Sequence, residues 1–118
     1  MINGLHLLLY SRDPAADRAF LRDVLGWPFV EDLGSGGGWL IFKAPPTEIG
    51  VHPTDAAPMA EMHLMCDNIE TTVAELAAKG VSTSPVTDAG YGRTITVDLP
   101  SGARIGLYEP RHQIALNL

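Results

Sequence analysis

Apolar residues are almost continuous from Leu5 to Ser11, with His6, Leu8 and Tyr10 on one face of an extended chain and Leu5, Leu7 and Leu9 on the other. A strand that is apolar on both faces is expected to be covered on both, so this one is central. Asp13 before Pro14 signals a helix start, a carboxylate cap followed by a residue whose missing N–H costs nothing at the first helical position. Phe20 with Val24, and Leu21 with Leu25, lie four apart and form an apolar side, and Gly26 ends the pattern. The first helix is therefore expected over about Pro14 to Leu25. WPFVEDL and WLIFKA then read as strands joined by the flexible turn GSGGG, and after Pro45 and Pro46 the segment TEIGVH reads as a further strand. Glu48, Gly50 and His52 share one face of it by the two-residue period.

The same order then repeats. PTDAAPMA has the proline-rich, small-residue character of a connector. Beyond it AEMHLMCDN opens a second strand, with Glu61, His63 and Met65 on one face and Met62, Leu64 and Cys66 on the other. Asp67 with Glu70 three residues later reads as a capping box, and Ile69, Val73, Leu76 and Ala77 form an apolar stripe that stops at Gly80. VSTSPVTD is a strand interrupted by Pro85, GYG a turn, RTITVDL a strand, PSG a tight turn and ARIGLYE a closing strand. The tail RHQIALNL is weakly patterned. Strand, helix and three strands, written twice, predict an α+β domain: two βαβββ modules forming a curved mixed sheet, with a cleft between them and helices on the outer face. The modules are expected at about residues 1–54 and 59–110 of one domain spanning 1–118.

Composition narrows the function classes. The single cysteine, Cys66, sits in an apolar run and reads as a structural thiol in a reducing compartment. MINGLHLLLY has no basic start and no apolar stretch of the roughly 20 residues that cross a bilayer, so a cytoplasmic protein without a membrane partner is expected. A net charge of −6, with eight scattered Lys and Arg, argues against nucleic acid as a partner.

Three imidazoles, His6, His52 and His63, fall on three expected strands, and Glu48 and Glu61 share faces with two of them. Imidazole with carboxylate suits divalent first-row metals. Against that, isolated strand histidines are often satisfied by a carbonyl or water, and no HxH or HxxxH spacing occurs among these three. The GSGGG loop joins two strands and precedes no helix, so it reads as a hairpin rather than a phosphate cradle. Trp39, Tyr91 and Tyr108 are candidates to line a pocket, although strand aromatics are more often core. Arg93 and Arg104 are solvent-facing by default, but an Arg in a cleft holds a carboxylate or phosphate bidentately.

The segments GLHLLLYSRDPAADRAFLRDVLGWPFV, EMHLMCDNIETTVAELAAKGV and GYGRTITVDLPSGARIGLYEP together resemble the vicinal oxygen chelate superfamily, which includes glyoxalase, bleomycin-resistance proteins and extradiol dioxygenases. The resemblance implies a metal held by one residue from the first and last strand of each module. The first of those positions falls on His6, the second on Gly50 within IGV, the third on Glu61, and the fourth on Gly106 within IGL. Two of the four residues thus have no side chain. The family's DPDG turn is altered here to LPSG.

Two readings follow. In the first, the family's metal site is degraded, the glycines make room for a larger ligand, and the cleft binds a small organic molecule through Trp39, Gly50, Tyr91, Arg93, Gly106 and Tyr108. In the second, a shifted site of His6, His52, Glu61 and His63 holds a divalent metal for a lyase, isomerase or dioxygenase acting on a small oxygen-rich substrate, with Glu61 moving the proton. The first is preferred, whether or not the protein is an enzyme. A cupped sheet with apolar edges is expected to pair with a second copy as a homodimer.

Overall fold

A computed structural model of the chain describes residues 6–32 and 39–118, with the side chains of Asp32 and Trp39 left aside. The expected GSGGG turn and Leu5 lie outside the described residues. The Asp13 carboxylate accepts from the Ala16 N–H at 3.2 Å and opens α1 (Pro14–Asp23), which ends two residues before Leu25, the end expected. Gly26 follows at φ 70°, a left-handed conformation that costs glycine least. The second helix, α2 (Ile69–Ala78), is capped one residue later than the sequence pattern indicates. Asn68, not Asp67, supplies the acceptor for the Thr71 N–H at 2.9 Å, and Glu70 turns to Arg93 instead of closing a capping box. Gly80, at φ 78°, lies beyond its end.

Strands β1 (Phe29–Asp32) and β2 (Trp39–Phe42) form an antiparallel hairpin. The larger sheet holds β3 (His63–Met65), β4 (Thr87–Asp88), β5 (Gly92–Asp98) and β6 (Arg104–Pro110) in the order β3-β6-β5-β4. β3 runs parallel to β6, and the other two pairings are antiparallel. This is an α+β fold with mixed strand directions, and the second half of the chain carries the full strand, helix and three-strand order.

Alternation along β5 and β6 decides which face is covered. Ile95, Val97, Ile105 and Leu107 point to one side and are buried with Phe20 and Leu21 of α1, Ile69 and Leu76 of α2, and Leu99. Each such side chain contributes about 1.5–3 kcal/mol relative to exposure. Both helices therefore cover the same face. By parity and register the other face carries His63, Met65, Thr94, Thr96, Gly106 and Tyr108.

The first half departs from the repeat. Residues 6–11 and 47–52, expected as strands, form no ladder among the described residues and leave Leu8 63 % and Val51 93 % exposed. The physical reason is the lack of a neighbour. β3 is held by β6, whereas these equivalents of β3 and β6 have no backbone partner alongside among the described residues, and a strand without one has nothing to fix it.

Candidate functional site

The helix-free face of the sheet gathers its chemistry at the junction of β3 and β6. His63 and Gly106 are register partners, and the imidazole lies across the glycine: a Cβ at Gly106 would collide with the His63 ring. The space expected at Gly106 is thus already filled by a neighbour. Gly50 differs, since a Cβ there would meet nothing closer than His52 Nε2 at 3.7 Å, an ordinary contact. The His63 Nε2 lies 3.0 Å from Glu61 Oε2, so the shared face expected for these two is realised as a direct contact.

Tyr108, one pleat along from Gly106, is only 8 % exposed. Its ring meets His63 and Tyr91 edge-on, with centroids at 6.3 and 5.7 Å. Its hydroxyl lies 2.8 Å from His112 Nε2. His112 Nδ1 faces the Gln113 carbonyl at 2.9 Å, and a carbonyl only accepts. In the neutral imidazole Nδ1 therefore carries the proton, and the Tyr108 hydroxyl donates to Nε2. Glu48 completes the group, with Oε1 3.7 Å from His112 Nε2 and Oε2 accepting from the Ala115 N–H at 2.8 Å. Burial, then the Glu48 and Tyr91 charges, push the Tyr108 phenol above its usual pKa, so it stays protonated at neutral pH.

Of the residues predicted from the sequence, His63, Glu61, Gly106, Tyr91 and Tyr108 come together. His6 and His52 are exposed on the unladdered segments. Arg93 lies on the other side of the sheet, paired with Glu70 of α2, and Arg104 pairs with Asp98 at 2.9 Å. Trp39 lies on β2, in the separate hairpin. A shallow groove of about 390 Å³, bounded by Tyr10, Ser11, Arg12 and the 101–103 turn, shares no residue with this group. His112 was missed because the tail has no periodicity; a lone imidazole just after a closing strand was the available signal.

The family model for the Glyoxalase/Bleomycin resistance protein/Dioxygenase superfamily matches residues 5–107. The chain belongs to that superfamily. No curated protein sequence matches it. Among solved structures, this superfamily member is similar to an antibiotic binding protein from Streptomyces sp. CB03234, with 21 % identity, 92 % of this chain and 97 % of that chain covered, and a TM-score of 0.68. It is also similar to a lactoylglutathione lyase from Agrobacterium tumefaciens, with 17 % identity, 91 % and 92 % covered, and a TM-score of 0.63. A fosfomycin resistance protein from Listeria monocytogenes matches at 18 % identity over 100 % of both chains, with a TM-score of 0.58. At these identities the similarity shows the shared fold.

At the positions where the resemblance implies metal ligands, the residues of this chain give little to hold an ion. Gly50 and Gly106 offer no donor atom, His63 covers Gly106, and Glu61 is engaged by His63. No three or more His, Cys, Asp or Glu side chains converge among the described residues. No helix among those residues is long and apolar enough to cross a membrane.

Proposed function

We propose that this chain binds a small organic molecule on the helix-free face of its sheet, against His63, Tyr91 and Tyr108, without the superfamily's metal. The observation that carries the reading is at Gly106: where the resemblance implies an acid, this chain has a glycine covered by an imidazole, which packs on Tyr108, whose ring in turn packs on Tyr91. Aromatic surface with a few fixed polar groups is the usual lining of a small-molecule site. An antibiotic binding protein among the structural neighbours supports the same class.

The chain acts as a homodimer in which the apolar segments 6–10 and 48–52 gain strand neighbours, each half of the chain then forming one module of a single domain. The exposure of Leu7, Leu8, Leu9, Ile49 and Val51 supports this, because such residues are costly to leave in water.

The Glu61–His63 contact favours a second reading, in which Glu61 moves a proton for a bound substrate. A thermal-shift screen of small oxygenated and aromatic compounds tests the binding class. Hits on the wild type should be weakened by about 1–3 kcal/mol in His63→Ala if that imidazole orients the ligand. Hits unchanged in both His63→Ala and Tyr91→Ala would remove this face as the site, and turnover lost in Glu61→Gln would promote the enzyme.

A further inference from the structure

Tyr108, His112 and Glu48 are three donors of different chemistry brought together from β6, the tail and the segment before Gly50. We infer that they form a cation site, separate from the positions the superfamily uses, that takes a divalent first-row transition metal through the Tyr108 phenolate oxygen, His112 Nε2 and Glu48 Oε1. The proposal does not depend on an organic ligand.

Three observations support it. The first is spacing. Nitrogen and oxygen ligands bind such ions at about 2.0–2.2 Å, which places adjacent donors about 3–3.6 Å apart around one ion. The existing separations, 2.8 Å from the Tyr108 hydroxyl to Nε2 and 3.7 Å from Nε2 to Glu48 Oε1, lie just either side of that range.

The second is orientation by outer partners. A metal-binding histidine usually donates its other ring N–H to a carbonyl or carboxylate, which fixes the tautomer that presents a lone pair to the metal. His112 does this through Nδ1 and the Gln113 carbonyl at 2.9 Å. The Glu48 oxygen turned away from the group is held by the Ala115 N–H at 2.8 Å, leaving the other to face Nε2. The third is charge. Glu48 and a phenolate together neutralise a divalent ion, and the imidazole softens the set toward copper and zinc over calcium or magnesium.

The step is a simple exchange. The phenol proton now shared with Nε2 leaves to solvent, the O–H bond breaks, and the phenolate oxygen and the freed Nε2 lone pair bind the ion. One proton is released per ion, so affinity rises with pH.

The same contacts also tie the tail to the sheet, and the test separates a tie from a site. Cu²⁺ binds most tightly in the divalent series, and a copper–phenolate bond gives a visible charge-transfer absorption that carboxylate and imidazole do not. Protein freed of metal by chelation and dialysis is titrated with Cu²⁺, followed by absorbance and calorimetry. One ion per chain should bind with that absorption, and Cu²⁺ should displace Zn²⁺ from zinc-loaded protein. Tyr108→Phe, which keeps the ring packing, should abolish the band, and His112→Ala and Glu48→Gln should each weaken binding at least about tenfold. His52→Ala, at an exposed imidazole outside the group, should leave both unchanged. No phenolate band in the wild type, or a band and affinity that survive Tyr108→Phe, would overturn the assignment.

Discussion

At Gly106, where the resemblance to the superfamily implies an acid, the structure places the His63 ring across the bare backbone. The glycine does not open a cavity; it lets the His63 ring lie on the strand beside it, and that ring in turn packs edge-on against Tyr108. Gly106→Ala should therefore cost about 1–3 kcal/mol, because the new methyl group must displace an imidazole held by Glu61. In a His63→Ala background the same substitution should cost much less, since the colliding group is gone. Urea denaturation of the four proteins in this cycle measures the difference, and an equal cost in both backgrounds would contradict the account. Gly92 is constrained differently: a Cβ there would press on the Glu109 carbonyl, which is backbone and cannot rotate away. The shared face of Glu61 and His63 was legible from the two-residue strand period, whereas His112 was not, and Trp39 and Arg93, expected beside them, lie elsewhere. That the glycine was filled was not legible, because strand register across a parallel pair is a tertiary fact that no local pattern encodes.

Among the elements, α1 is joined to the β5–β6 turn by one buried carboxylate. Asp17, 7 % exposed, accepts from the Ser101 N–H at 3.0 Å and the Ser101 hydroxyl at 2.7 Å. Burial alone would raise its pKa, but hydrogen bonds from Ser11, the Ser101 hydroxyl and the Ser101 N–H outweigh it, and the net shift is downward. A depressed carboxylate stabilises the fold above its unfolded pKa of about 3.9 and loses that contribution as pH falls through the lower folded value. Stability should thus fall on acidification below about pH 4, and Asp17→Asn should flatten that part of the curve. Midpoints from thermal melts between pH 7 and pH 3 check this, and a slope unchanged in Asp17→Asn would contradict it. Sequence patterning located both helices and the hairpin well, because their apolar spacing and caps are local. It placed the α2 cap on Asp67 where Asn68 serves, since two adjacent acceptors look alike until the backbone chooses between them. It also placed strands at 6–11 and 47–52, where the apolar pattern exists but no strand pairs with it among the described residues.

On the scale of the whole molecule, the Cα radius of gyration is 15.5 Å, against about 13.5 Å for a packed domain of this length. The difference fits a chain whose first-half segments await a partner. Light scattering should give twice the chain mass, and Leu8→Glu with Val51→Glu should shift it toward the single-chain value; a wild type that stays single at micromolar concentration would contradict the dimer. Such pairing would also wall the face that bears Tyr108 and His63, turning an open surface into a cleft. The central claim is that this cleft holds its ligand without the superfamily's metal. The most direct measurement is calorimetric titration of a screening hit into wild-type protein before and after exhaustive chelation. Affinity preserved after chelation, and reduced in His63→Ala, is the predicted result. Affinity lost on chelation and restored by adding back zinc or another divalent ion would contradict it.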